Sequence, residues 1–104
     1  QKPSAAAFER WAWSKLETPV LFSNEHSHAV RVFWIRGDQA FDPFDLAPGE
    51  TQLRTAYVSH LFAARDLRAG GPLTPDSALR WAYVDSQPFE FLVSEKCVDW
   101  HGDC

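Results

Sequence analysis

Six short apolar runs, separated by clusters of turn-forming residues, constrain the fold of this chain more than any other feature. The runs contain many β-branched, aromatic and aliphatic side chains and cover residues 20–23, 30–35, 52–57, 60–65, 78–84 and 89–93. Short strands divided by turns at regular spacing are typical of a sandwich or a barrel. The sequence therefore predicts an all-β fold.

The order of the runs predicts pairing between neighbours. Residues 24–28 are polar turn material, so we expect the first two runs to form a β hairpin. Only residues 58–59 separate the third run from the fourth, and we expect a second strand pair around this tight turn or bulge. Side chains alternate between the faces of a strand, which places Trp34 on the same face as Val30 and Val32.

Residues 36–50 contain two glycines, two prolines and several aspartates. A regular strand does not sustain this density of turn formers throughout its length. We therefore expect a long loop, anchored to the core by Phe41 and Phe44.

The N-terminal segment predicts a short helix. The Ser4 hydroxyl is suited to cap a helix over residues 5–16, where alanines favour helical structure. Its two tryptophans are expected to close one end of the core, with contact to a partner as the alternative.

A chain of 104 residues has the usual size of one domain. We expect a single module: an extension over 1–18, the β sandwich over 19–95 and a C-terminal loop over 96–104.

Charge and hydropathy exclude two classes of partner. The net charge is −4, and the ten Lys and Arg residues are scattered, so there is no cationic surface for nucleic acid. No apolar stretch approaches the roughly 20 residues that cross a bilayer, and we expect no membrane partner.

Two cysteines predict the compartment. Cys97 and Cys104 close a short loop that Gly102 can bend, so we expect a disulfide between them. A thiolate metal site with His101 is the alternative, but it lacks a second paired motif. Disulfides persist in oxidising compartments, and with Gln1 in place of Met we expect either a removed preceding segment or a start inside a longer protein. We expect a secreted or extracytoplasmic protein.

Motifs for catalysis and for cofactors are missing from the sequence. There is no nucleophile elbow and no glycine-rich phosphate loop, so we expect no enzyme activity and no cofactor.

His26 and His28 have the spacing to share a metal on a strand, but they fall in a turn without an evident third ligand. We interpret them as ordinary polar residues of that turn. Three loop aspartates, Asp38, Asp42 and Asp45, do not match the spacing of an EF-hand. No metal site is expected.

Seven short motifs occur in a characteristic order along the chain. They are VLFSN at 20–24, WI at 34–35, PF at 43–44, LAPG at 46–49, YVSHLF at 57–62, RD at 65–66 and QPF at 87–89. In this order they resemble the β domain of the von Hippel-Lindau tumour suppressor family, over most of residues 20–95. The resemblance implies an antiparallel β sandwich of about seven short strands.

The resemblance also implies a ligand site. In that family an extended peptide crosses the sheet, and its hydroxylated proline sits in an aromatic pocket. Trp34 matches the tryptophan of that pocket, and His60 matches the histidine that contacts the hydroxyl group. Three positions depart from the family: Phe44 replaces a tyrosine, Phe62 a second tryptophan, and Ala56 a serine that also bonds the hydroxyl.

These departures weaken the selectivity for hydroxyproline. Ala56 and Phe44 lack the polar atoms of the serine and the tyrosine, and each missing bond to a buried polar group costs about 1–3 kcal/mol. An aromatic slot for plain proline or an aliphatic side chain is what remains. Alternatively, Trp34, Phe44 and Phe62 are simply core aromatics.

The expected function is therefore a non-enzymatic peptide- or protein-binding module whose ligand contains proline or hydroxyproline. The alternative is a structural or accessory domain of a larger secreted protein or enzyme, and an unfamiliar hydrolase is a third option. The family's helical domain, which recruits the ubiquitin-ligase scaffold, has no counterpart before the last residue, Cys104. We expect no ligase-scaffold partner.

Overall fold

A computed structural model describes residues 17–94 of the chain. They form seven strands and, within this range, no helix: β1 (Glu17–Asn24), β2 (Val30–Arg36), β3 (Gln39–Leu46), β4 (Thr51–Tyr57), β5 (Leu61–Asp66), β6 (Arg80–Tyr83) and β7 (Phe89–Val93). The predicted all-β class is confirmed. The predicted helix over 5–16 and the predicted disulfide between Cys97 and Cys104 lie outside the described residues. Residues 17–94 contain no helix that could span a membrane.

The strands form two sheets that pack together. The three-stranded sheet has the order β4-β1-β7, and the four-stranded sheet has the order β3-β2-β5-β6. Neighbouring strands are antiparallel except for β1 and β7, which are parallel. The expectation of a purely antiparallel sandwich is wrong at this pair, because β1 and β7 are far apart in sequence and no hairpin fixes their relative direction.

The core lies between the two sheets. Val20, Phe22 and Phe91 from the three-stranded sheet pack with apolar residues of the four-stranded sheet, such as Val32 and Leu46. Trp34 packs against this cluster, as the alternation along β2 predicts. A second, smaller cluster occupies the outer face of the four-stranded sheet and contains Phe33, Ile35, Leu61, Ala63, Leu73 and Trp81.

The predicted strand pairs are wrong. β1 and β2 lie in different sheets, and so do β4 and β5. β1, β2 and β5 each bury an apolar face, and β4 buries Ala56, so placing consecutive strands in opposite sheets lets these residues meet across the core. The short connections are therefore crossings between sheets, and Ser59 in the second crossing has a left-handed φ of 83°.

The predicted long loop over 36–50 is also wrong, because β3 lies within it. Gly37, with a φ of 60°, lies in the turn that joins β2 to β3. The register shifts between Val32 and Trp34, where the extra residue in β3 makes a bulge at Asp42 and Pro43. β3 is an edge strand, the position in a sheet where proline is tolerated. The turn formers therefore shape a strand rather than interrupt it.

Candidate functional site

An aromatic cleft of about 390 Å³ opens between the edge strands of the two sheets, β3 and β4. Its lining residues are Phe22, Trp34, Asp42, Phe44, Arg54, Thr55, Ala56, Tyr57, His60 and Phe62. All five residues that the sequence predicts for ligand binding, Trp34, Phe44, Ala56, His60 and Phe62, line this one cleft. The structure brings them together from four strands and one turn, and their role in binding stays a prediction.

Core aromatics form the floor of the aromatic cleft. Phe22 is fully buried, and its ring meets Phe44 and Phe62 edge to face, with centroids 5.0 and 5.1 Å apart. Phe62 is only 8% exposed and Ala56 only 5%. These two residues belong to the core as well as to the cleft, so the packing interpretation holds for them. Trp34, Phe44 and His60 are half-buried and form the accessible walls.

The His60 ring is held between two aromatic side chains. Its centroid lies 4.9 Å from that of Trp34 and 5.2 Å from that of Tyr57. The backbone is fixed as well: His60 N donates to the Tyr57 carbonyl, and the His60 carbonyl accepts from Val84 N. The ring is therefore positioned by packing and by its turn.

Electrostatics favour a neutral His60. Burial, and to a smaller extent the charge of Arg36, hold the pKa of His60 below its usual value. A neutral imidazole offers one donor and one acceptor nitrogen. Residues 17–94 provide no hydrogen-bond partner for this ring, nor for the buried indole Nε1 of Trp34. The half-buried His60 ring thus retains hydrogen-bonding capacity at the cleft.

Arginines add positive charge next to the aromatic walls. The Arg54 guanidinium carbon lies 3.7 Å from the ring centroid of Phe44, and that of Arg36 lies 5.4 Å from the ring of Trp34. Stacked guanidinium groups keep their charge while they cover the ring faces. The cleft therefore combines an apolar floor with a basic rim of Arg54, which lines it, and Arg36, which lies beside Trp34, while Asp42 adds one carboxylate to the lining.

Sequence reasoning missed half of the cleft. Arg54 carried a usable signal, because it lies two positions before Ala56 on β4 and shares its face. Tyr57 is positioned by its hydroxyl, which donates to Glu17 Oε1 over 3.2 Å, and this bond raises the pKa of Tyr57. Asp42 enters the cleft from the bulge of β3. The local sequence predicts neither the contact between Tyr57 and Glu17 nor the bulge that places Asp42 in the cleft.

A second group of polar side chains lies at the turn between β1 and β2. The side chains of His26, His28 and Asp66 have ligand-type atoms within 4.8 Å of one another, the only such cluster among residues 17–94. The third member escaped prediction because Asp66 is far away in sequence and arrives through the pairing of Val30 with Asp66. The three loop aspartates are not gathered in this way, and Asp45 forms an ion pair with Arg31.

His60 shares the cleft with the carboxylate of Asp42 and the hydroxyl groups of Thr55 and Tyr57, but within residues 17–94 no hydrogen bond joins its ring to any of them. A general base needs hydrogen-bond reach to the hydroxyl that it activates. The His60 ring contacts aromatic rings instead, and the Tyr57 hydroxyl is bonded to Glu17.

Comparison with known proteins gives no family and no relative. No protein-family model matches the chain, and no curated protein matches it. Function therefore has to be inferred from the cleft and its surroundings.

Proposed function

We propose that this domain is a non-enzymatic peptide-binding module of the von Hippel-Lindau β-domain type. Its aromatic cleft takes up a proline, or another compact apolar side chain, from an extended peptide. One observation carries the proposal: the five residues that the family resemblance selects line a single cleft of about 390 Å³. They are separated by up to 28 positions in the chain, Trp34 to Phe62.

The dimensions and chemistry of the cleft suit such a ligand. Small-ligand sites range from roughly 300 to 1,000 Å³, and aromatic-walled grooves are the usual receptors for proline-rich segments. Trp34 and Phe44 supply the aromatic walls, and the apolar floor disfavours a charged side chain. The basic rim formed by Arg36 and Arg54 favours acidic residues next to the proline.

The edge strand β4 offers a means of holding the peptide backbone. Among residues 17–94, β4 pairs with β1 on one side only, and four of its residues, Arg54 to Tyr57, line the cleft. An extended peptide can add to such an edge through main-chain hydrogen bonds, which supply affinity, while the cleft supplies side-chain selectivity.

Hydroxyproline is not required by this site. Ala56 and Phe44 offer no polar atom to a ligand hydroxyl, so of the three polar side chains that the resemblance assigns to positions 44, 56 and 60, only that of His60 is kept in the cleft. One new hydrogen bond contributes about as much as desolvation of the hydroxyl costs. We therefore expect matched proline and hydroxyproline peptides to bind with similar affinity.

Calorimetric titration of the full chain with matched peptides tests the proposal. The peptides are extended, carry acidic flanks and differ only in having proline, hydroxyproline or glycine at the centre. The proline and hydroxyproline peptides are expected to bind, and the glycine peptide is expected to bind more weakly. Trp34→Ala removes an aromatic anchor and should cost about 2 kcal/mol, or roughly 30-fold in Kd.

Trp81→Ala is the matched control, because Trp81 belongs to the cluster on the opposite face of the four-stranded sheet. This variant should bind the peptides as the unchanged chain does. Binding that is equally lost in both variants, or absent for all peptides, contradicts the proposal. Binding of the hydroxyproline peptide alone would show that His60 suffices for selectivity and that the proline slot is wrong.

An accessory role within a larger secreted protein is the second candidate. It is favoured by the outer face of the three-stranded sheet, where Leu21 pairs with Leu53 and the Leu53 side chain is 70% exposed. Exposed apolar residues that adjoin each other are suited to contact with another domain. Absence of peptide binding in the titration above would favour this role.

A further inference from the structure

We infer that His26, His28 and Asp66 form a binding site for a divalent transition-metal ion of the Zn²⁺ class. Their ligand-type atoms all lie within 4.8 Å of one another, and the three side chains are referred to below as the His-His-Asp cluster. Two imidazoles and one carboxylate are a ligand set typical of such ions, with the remaining positions left to water or another ligand. None of these residues lines the aromatic cleft.

One pair in the cluster is already in direct contact, because His26 Nε2 and Asp66 Oδ2 form a hydrogen bond of 2.9 Å. In tetrahedral geometry, bonds of about 2.0–2.2 Å to zinc place two ligand atoms roughly 3.3–3.6 Å apart. An ion that binds both atoms therefore replaces the shared proton and requires only a slight separation of the two side chains. His28 is exposed, so rotation of its side chain can bring the third ligand to the ion without rearranging the core.

The buried Asn24 side chain holds both histidines in place. Asn24 Oδ1 accepts a hydrogen bond of 2.8 Å from His26 N, and Asn24 Nδ2 donates one of 3.0 Å to the His28 carbonyl. The same amide donates to the carbonyl of Leu46 on β3, which ties the turn to the four-stranded sheet. The turn is therefore ordered before an ion arrives, and binding need not supply the entropy cost of ordering it.

Asp66 is fixed beneath this turn by the sheet. Asp66 pairs with Val30, the first residue of β2, and Leu67 N donates to the Ala29 carbonyl over 2.9 Å. Two separate anchors, the Asn24 amide and the β2–β5 pairing, therefore converge on the three ligands. Contacts that hold the ligand residues from outside the coordination shell help to orient the ligands of metal sites.

Arg68 competes with the ion for the carboxylate. Its Nη2 lies 2.7 Å from Asp66 Oδ2, and its Nε lies 2.9 Å from Oδ1. A metal at Oδ2 must displace or share the Nη2 contact and approach a positive guanidinium group. Arg68 is 64% exposed, so its side chain can turn toward solvent once its contacts with Asp66 break. The residue therefore lowers the affinity of the site without blocking it.

The test is a titration of the full, metal-stripped chain with Zn²⁺ at neutral pH, followed by calorimetry and by NMR of the histidine rings. We expect saturable binding of one ion, with shifts in the rings of His26 and His28. Loss of a supporting partner costs metal sites about 10- to 100-fold in affinity, so His28→Ala and Asp66→Asn should each cost at least about tenfold. Arg68→Ala should tighten binding several-fold.

His60→Ala is the matched control, since it removes a histidine outside the cluster and should leave Zn²⁺ affinity unchanged. The exposed position of His28 lets His28→Ala be compared with the unchanged chain at equal melting temperature in EDTA. A titration in a Cys97→Ser, Cys104→Ser background separates the cluster from thiolate ligands. Absence of saturable binding overturns the inference, and so does binding that His28→Ala and Asp66→Asn leave intact.

Discussion

His60 shows how one side chain links the cleft to pH. Its ring stacks near Trp34 and Tyr57, and its burial stabilises the neutral form over the charged form. The unfolded chain exposes the same ring to water, where it titrates with an ordinary pKa. As the pH falls through that ordinary value, the unfolded state takes up a proton before the folded state does.

The first prediction concerns this difference. Because the pKa of His60 is lowered in the folded state, its contribution to stability is present above the ordinary histidine pKa of about 6.5 and decreases as the pH falls below that value. Chemical denaturation at pH 7.5 and at about pH 5.5 measures the free energy of unfolding. Its decrease between the two pH values should be smaller for His60→Gln than for the unchanged chain. His28→Gln is the control, and an unchanged dependence in His60→Gln would contradict the assignment.

At the scale of single elements, alternation was readable from sequence and pairing was not. The faces of β2 follow from its alternation alone, with Val32 turned to the core and Ile35 to the outer cluster. The sequence does not predict β3, because turn formers are typical of the ends of strands. They occupy the positions that an edge strand tolerates: a tight turn, a bulge and a proline without a ladder partner on one side.

The turn between β2 and β3 gives the second prediction. Gly37 has a φ of 60°, and an added Cβ would meet no atom within 4 Å, so backbone strain is the only cost of a side chain there. Gly37→Ala should lower the free energy of unfolding by about 1–2 kcal/mol. Gly70 also has open space around it but no positive φ, so Gly70→Ala should be neutral or stabilise by up to about 1 kcal/mol. Urea denaturation measures both, and equal effects would contradict the strain argument.

At the scale of the whole molecule, the cleft and the His-His-Asp cluster depend on contacts between elements that are distant in sequence. The five cleft residues could be selected in advance only through the proposed resemblance of ordered motifs to a known family. Asp66 had no such guide, because the register between β2 and β5 determines its place beside the histidines. Individual strands were thus predictable from pattern, whereas sheet membership and the partners of polar groups were set by how the two layers meet.

Phe22 is the side chain in which these two layers meet most closely, and it gives the third prediction of stability. It lies on β1 in the three-stranded sheet, is fully buried, and contacts Phe44 and Phe62 of the opposite sheet as well as Phe91 beside it. Phe22→Ala leaves a cavity between the sheets and should lower the free energy of unfolding by about 3–5 kcal/mol. Because the cavity removes contacts from both layers at once, unfolding should remain a single transition.

Leu21→Ala is the neighbouring control for Phe22→Ala. Leu21 is 39% exposed on the outer face of the same strand, and its loss should cost no more than about 1 kcal/mol. Urea denaturation followed by tryptophan fluorescence and by far-ultraviolet circular dichroism measures both variants. A similar cost for the two variants, or separate transitions for the two probes in Phe22→Ala, would show that the layers are stabilised independently. Coincident transitions, with a much larger loss of unfolding free energy for Phe22→Ala than for Leu21→Ala, would instead show that the two sheets unfold as one cooperative unit. The floor of the aromatic cleft belongs to the core of that unit.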